Sequence, residues 1–223
     1  MNHDRQKVAA IVAAYNEEKT ISDVVRTLVA SKRFADIVVI SDGSTDKTAA
    51  LARSAGATTV RELSIKNGKG AALMHGVKLT NAPCLFFCDA DLYGFETKHV
   101  NAVIDPVLEE KLTMCVGLRD RGSFLMWLTS HLPLIGGERT LRRTVFEGVP
   151  DTFLSGFMVE IALNYFCRSR GLAYGSKEMP GVHIRTKFQK VGFVRGLKEY
   201  CKMWIQIFCG MLIVRFARFK GEF

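Results

Sequence analysis

The chain reads as an α/β protein with a mostly parallel sheet covered by helices, and three observations point there. Apolar strand-like runs at Val8–Ala14, Ile37–Ile40 and Cys84–Cys88 alternate with segments of helical periodicity. Each run ends in polar residues, as strands do where they leave a buried sheet. At 223 residues the chain is long enough to bury a sizeable core in a single unit of this kind.

The elements follow in order. After the first strand, Val8–Ala14, come Tyr15, Asn16, Glu17 and Glu18. Ile21, Val24, Val25, Leu28 and Val29 then fall at i, i+3, i+4, i+7 and i+8, a single apolar stripe that predicts a helix. The second strand, Ile37–Ile40, runs into Ser41-Asp42-Gly43-Ser44-Thr45-Asp46. There Gly43 permits a tight turn, and Ser44 or Thr45 is placed to cap the next helix. A short strand is expected around Thr58–Arg61. Lys66-Asn67-Gly68-Lys69-Gly70-Ala71 opens another helix, in which Gly76 allows close packing. That glycine-rich stretch is either a flexible turn or a place where Lys69 and the helix N-terminus add positive potential for a diphosphate.

The run Cys84-Leu85-Phe86-Phe87-Cys88 stops on Asp89-Ala90-Asp91. Two carboxylates thereby stand at the carboxyl edge of the sheet, where open α/β sheets bind ligands. Hard oxygen ligands one residue apart suit a divalent cation bridged to a diphosphate; the plain alternative is an acidic turn. Leu112–Val116 is a further strand, with Arg119 just beyond it at the same edge. An arginine there either neutralises a phosphate in bidentate fashion or makes a surface salt bridge.

The second half is less regular. Ser123–Ile135 is rich in apolar residues and broken by Pro133, while Gly137-Glu138-Arg139 through Arg142-Arg143 forms a basic cluster, with Arg142 expected on a solvated helix face. Phe157–Arg170 predicts a helix that sets Glu160 among apolar neighbours, either exposed or aimed inward. Val182-His183-Ile184 leads into the basic pair Arg185 and Lys187, with His183 expected to be packed or hydrogen-bonded. Near the end, Phe193, Leu197, Tyr200, Cys201, Trp204, Phe208, Met211 and Leu212 recur at helical spacing, flanked by Arg195, Lys198 and Lys202. That is the pattern of a helix lying in a membrane interface; a helix packed on the core, or a homo-oligomer interface, is the alternative. Met203–Val214 is too short to span a bilayer, which takes about 20 residues. Residues 1–188 are therefore expected to form the α/β domain and residues 189–223 an amphipathic membrane-interface segment.

Charge agrees with this. Thirty-one Lys and Arg against 22 Asp and Glu give a net charge of +9, which favours anionic partners. No nucleic-acid motif accompanies it, so nucleotide diphosphates, lipid phosphates and an anionic membrane surface are expected rather than nucleic acid. Six cysteines without a Cys-x-x-Cys pair read as core thiols of a reducing compartment. No signal segment opens the chain.

Ala14-Tyr15-Asn16-Glu17-Glu18, Ser41–Asp46, Asn67–Ala71 and Asp89-Ala90-Asp91 resemble, in order and spacing, the motifs of family 2 glycosyltransferases. The likeness continues through Gly117-Leu118-Arg119, Gly137-Glu138-Arg139 and Ser155-Gly156-Phe157, roughly residues 8 to 185, and is strongest to dolichyl- and polyprenyl-phosphate hexose synthases. The resemblance implies a GT-A, Rossmann-like fold. It also implies inverting transfer of a hexose from a GDP- or UDP-sugar to a polyprenyl phosphate, by a peripheral enzyme on the cytoplasmic face of a membrane. Mg²⁺ or Mn²⁺ would sit at Asp91 and Asp89, and the donor at Ala13, Tyr15, Glu17, Ile40, Asp42, Lys69 and Asp89. Asp91, Arg119 and Glu160 would be catalytic, and Arg119, Arg139, Arg185 and Lys187 would receive the acceptor phosphate. The chain departs from the family at Ala13, where a proline is usual, at Ser41, where a first aspartate is usual, and at Tyr93, where a glutamine is frequent.

Two other readings stay open. A soluble or peripheral family 2 enzyme acting on a hydroxyl of a saccharide or glycerate would need a general base, with Asp151, Glu138 and Glu160 the available carboxylates. A lipid phosphate is already an anion and needs none. Ser41 and Tyr93 also admit a nucleotide-binding module without catalysis.

Overall fold

The computed structural model describes residues 7–119, 136–154, 156, 158–184 and 212–213. The elements are β1 (Val8–Ala14), α1 (Ile21–Ser31), β2 (Asp36–Asp42), α2 (Thr48–Ser54), β3 (Thr59–Leu63), α3 (Lys69–Val77), β4 (Cys84–Asp89), β5 (Leu92–Tyr93), α4 (Thr97–Leu108), β6 (Met114–Arg119) and β7 (Arg139–Arg142). They continue with α5 (Arg143–Glu147), a 3-10 turn (Asp151–Phe153), α6 (Met158–Ser169), β8 (Tyr174–Met179) and β9 (His183–Ile184).

Seven strands form one sheet in the order β3-β2-β1-β4-β7-β6-β8. All neighbours are parallel except β7, which runs antiparallel to both β4 and β6. The expected mostly parallel sheet is therefore present, with one reversed strand in it. The runs in β1, β2 and β4 are apolar throughout because both faces of these strands are covered, and Val8–Val12, Val38–Ile40 and Leu85–Phe86 have no exposed surface. One face packs under α3 and α6, the other under α1 and α4. Strand order reverses between β1 and β4, which opens a ligand crevice at their carboxyl ends. The register aligns Ala13 with Ile40 on one side and with Asp89 on the other.

Local expectations hold with specific differences. Helix α1 buries Ile21, Val24, Val25 and Leu28, but Val29 lies at the rim of the stripe and is 43% exposed. Gly76 does bring α3 close, since a Cβ there would overlap Ile11. The cap expected from Ser44 or Thr45 is absent: the N-cap is Lys47, without a side-chain cap bond, and Asp46 just before it accepts the Thr48 N–H on Oδ1 at 3.0 Å. Ser44 and Thr45 are engaged elsewhere: Asn16 donates its N–H to Ser44 Oγ and accepts the Thr45 N–H, lacing the β1–α1 and β2–α2 loops together.

The basic cluster read as a helix face is strand β7 from Arg139 to Arg142, and Arg142 pairs with Glu110 at 3.2 Å. Beyond the main sheet, β5 pairs with β9, and His183 stacks on Tyr93 and contacts the Gly181 carbonyl. Ser123–Ile135, Ser155, Phe157, Arg185, Lys187 and almost all of the segment 189–223 lie outside the described residues. Leu212 and Ile213 are helical and exposed. Among the described residues no helix is long and apolar enough to cross a membrane.

A candidate active site at the carboxyl edge of the sheet

Asp89 ends β4 and is held from two sides. Its Oδ1 lies 2.7 Å from Lys69 Nζ, at the first residue of α3, and its Oδ2 lies 3.0 Å from Arg119 Nη2, at the last residue of β6. Lys69 also reaches Glu160 Oε1 on α6, at 2.8 Å. Behind Glu160 stands Arg139, 1% exposed, which donates Nη1–H to the Glu160 carbonyl and lies 3.8 Å from its carboxylate. Arg139 also donates from Nε and Nη2 to the Gly136 carbonyl. Arg119 Nε is 3.1 Å from Glu138 Oε2. Three carboxylates (Asp89, Glu138, Glu160) and three cations (Lys69, Arg119, Arg139) thus form one connected buried cluster.

The cluster sets its own ionisation. Burial alone would raise the Asp89 carboxyl, but Lys69 and Arg119 pull it down to about 2. Burial would lower Lys69, but Asp89 and Glu160 outweigh it and lift the ammonium above its ordinary range. Glu160, also buried, is held below its ordinary value by Lys69 and Arg139. Glu138 is the exception, pushed by burial up to about 7 against the pull of Arg119. The Arg119–Glu138 contact is an ion pair by distance without hydrogen-bond geometry. Among the described residues it leaves both Glu138 oxygens and Arg119 Nη1 without a hydrogen bond.

Asp91 follows two residues after Asp89, half-buried, and its charge is felt at Arg119. On the donor side of the crevice, Asp42 ends β2 and is 3% exposed. Its two oxygens accept the N–H groups of Asn67 and Gly68, at 2.8 and 2.7 Å. This fixes the turn that delivers Lys69, with Gly68 at φ +92°. Tyr15, just past β1, is 39% exposed, and Lys66 Nζ sits 3.7 Å over its ring. Glu17 is half-buried, and its N–H is donated to Thr48 Oγ1.

Ala13, Lys69, Asp89, Arg119 and Glu160 are therefore brought together as the sequence suggests. Two assignments change. Ile40 has no exposed surface and its side chain belongs to the core. Arg139, expected at an acceptor phosphate, is spent internally on Gly136 and Glu160. Sequence reasoning missed Gly137, whose added Cβ would overlap the Asp89 carboxylate, so that only bare backbone fits against it. The visible signal was the Gly136-Gly137 pair directly before Glu138-Arg139.

The description Glycosyl transferase family 2 matches residues 9–164, from β1 into α6. The chain belongs to glycosyltransferase family 2. Within the family it is 34% identical over 119 residues to an uncharacterized protein of Methanocaldococcus jannaschii, covering 52% of this chain and 48% of that protein. It is 33% identical over 109 residues to the 4,4'-diaponeurosporenoate glycosyltransferase of Staphylococcus aureus, covering 47% and 29%. The chain thus spans about half or less of the length of these relatives. The chain shares its GT-A fold with glucosyl-3-phosphoglycerate synthase from Mycobacterium tuberculosis, crystallised with Mn²⁺, UDP-glucose and phosphoglyceric acid. The TM-score is 0.78 over 94% of this chain and 79% of that one, at 23% identity. Crystals of the same enzyme with Mg²⁺ and UDP superpose equally well.

Proposed function

We propose that this glycosyltransferase moves a hexose, with inversion, from a GDP- or UDP-sugar to a polyprenyl phosphate at a membrane surface. Mg²⁺ or Mn²⁺ fits at Asp91 and Asp89. Both are hard oxygen donors at the crevice, Asp89 is held ionised by its neighbours, and no third ligating side chain is grouped with them among the described residues. Such a pair suits an ion that brings substrate oxygens with it. Bound there, the ion supplies Lewis-acid stabilisation of the leaving nucleoside diphosphate. Lys69 adds a second positive charge to the same place. Arg119, whose buried Nη1 has no hydrogen bond among the described residues, adds its positive charge behind Asp89. Tyr15, Glu17 and Asp42 line the side of the crevice that takes the nucleoside.

The observation that carries the acceptor is the state of the three carboxylates that could serve as a base. Glu138 has no exposed surface, and Glu160 is 5% exposed and bound to Lys69. Asp151 lines a pocket with Met74, Val77 and Lys78 at the far end of α3, about 13 Å along that helix from Lys69. None is offered to a hydroxyl, whereas a phosphate acceptor needs no base. Ile184 pairs with Leu92, the residue after Asp91, and the basic pair Arg185 and Lys187 follows Ile184 in sequence. The amphipathic pattern of residues 189–223 supports a peripheral attachment to an anionic membrane, on the cytoplasmic face.

A hydroxyl acceptor is the second reading. It is favoured by the fold shared with a synthase crystallised with phosphoglyceric acid.

The test is a panel of GDP- and UDP-sugars scored for protection against thermal unfolding with Mn²⁺. Transfer from the best donor is then measured to a polyprenyl phosphate and to phosphoglycerate. Chelator-sensitive transfer to the prenyl phosphate is expected, and should be crippled by Arg185→Ala with Lys187→Ala. Equal or better transfer to the water-soluble acceptor would put the second reading first.

A further inference from the structure

We propose that Lys69 stands in for the divalent cation at Asp89 until the metal displaces it, and that Glu160 is the tether that keeps the displaced ammonium in the site. This rests on the reading that Asp89 and Asp91 receive the metal. Both Asp89 oxygens face cations, Oδ1 with Lys69 Nζ at 2.7 Å and Oδ2 with Arg119 Nη2 at 3.0 Å. A metal ion reaches Asp89 most directly by replacing one of them. Arg119 is the harder to move: its planar fork is also held against Glu138, and its side chain is 11% exposed. Lys69 is a point charge on a flexible stem and has a second carboxylate at 2.8 Å in Glu160.

That second partner decides the matter. A buried ammonium stripped of its only counter-ion is strongly unfavourable, but Lys69 can give up Asp89 and remain paired. Glu160 does not follow it, because Arg139 grips its carbonyl at 3.3 Å and stands behind its carboxylate. Lys69 therefore has two resting partners within ion-pair distance, one of which is needed by the metal. Glu160 becomes a positioning residue acting through Lys69, rather than a group that meets the sugar.

Mn²⁺ alone, titrated into the whole chain with free Mn²⁺ read by electron paramagnetic resonance, reports the competition without turnover. Lys69→Gln combined with Glu160→Gln removes one charge of each sign. It should nevertheless bind Mn²⁺ about tenfold more tightly than wild type, because the charged hydrogen bond competing for Asp89 is gone. Glu160→Gln alone should bind several-fold more weakly, and that loss should vanish once Lys69 is already glutamine. Should the pair fail to fold by circular dichroism, Lys69→Gln alone serves. It is compared with Lys66→Gln, which removes the same charge nearby without touching Asp89, and only the former should tighten binding tenfold. Mn²⁺ affinity unchanged or weakened in the Lys69 variants, with wild type binding normally, overturns the inference and leaves the metal reading standing. No Mn²⁺ binding by wild type or variants overturns both.

Discussion

Glu138 Oε2 lies 3.1 Å from Arg119 Nε although Glu138 has no exposed surface at all. Burial lifts its carboxyl from an ordinary 4.5 to about 7. A carboxyl raised on folding contributes stability that is fully present below its unfolded value and is lost as pH rises through its folded one. The window here runs from about pH 4.5 to about pH 7. Glu138→Gln does not titrate, so its Tm relative to wild type should be several degrees more favourable at pH 8 than at pH 5. Thermal melts at both values check it. A constant difference would mean that Arg119 keeps the carboxylate ionised throughout.

Gly137→Ala places a methyl where the Asp89 carboxylate now sits. Asp89 must turn away, and misplacement of a reacting-site group by about 1 Å costs on the order of 10²-fold in rate. Asp91→Asn should abolish turnover while leaving the melt within about 1 kcal/mol of wild type. Asp89→Asn should lose turnover and also about 2–3 kcal/mol of stability, because Lys69 and Arg119 lose their shared counter-ion. Donor hydrolysis and denaturant unfolding of the three variants, measured side by side, separate these outcomes.

Asp42→Ala removes the acceptor for two backbone N–H groups, those of Asn67 and Gly68. The expected cost is roughly 2 kcal/mol of stability, since each donor is left without its charged partner. Donor affinity should fall as well, because the same turn delivers Lys69. Calorimetry and thermal melts should therefore move together. A drop in nucleotide affinity with no change in Tm would mean that Asp42 serves the nucleotide alone.

Much of this arrangement is legible in the amino-acid sequence. β1, β2 and β4 are continuous apolar runs because both faces are covered, and α1 shows its stripe because one face is. Asp89, Lys69 and Arg119 could be placed at one edge because each directly ends a strand or opens a helix. β7 could not be read. It is four residues long, Arg139-Thr140-Leu141-Arg142, and it buries a charge held by the nearby Gly136 carbonyl and by Glu160 on α6, 21 positions away. Residue type alone argues for an exposed arginine there. The cap expected from Ser44 or Thr45 fails for a related reason, since Asn16 on another loop donates to the Ser44 hydroxyl and accepts the Thr45 N–H. The sequence leaves Glu160 either exposed or aimed inward, because its service to Lys69 depends on a contact across 91 positions of sequence.

The reversed strand β7 has an architectural consequence. Because it runs against β6, the chain leaves the sheet at Arg119 and returns at Gly136 on the same edge, close enough that a Cβ on Gly136 would press on the Gly117 carbonyl. A connection whose two ends already meet can change length at little entropic expense, about 0.6 kcal/mol per doubling. The sheet, the acidic pair and their counter-ions would not register the change. The two strand ends are thus held together by the sheet itself, whatever the length of sequence between Arg119 and Gly136. A variant shortened between Arg119 and Gly136 should therefore keep its melting temperature within a few degrees of the parent chain, because neither strand end has to move.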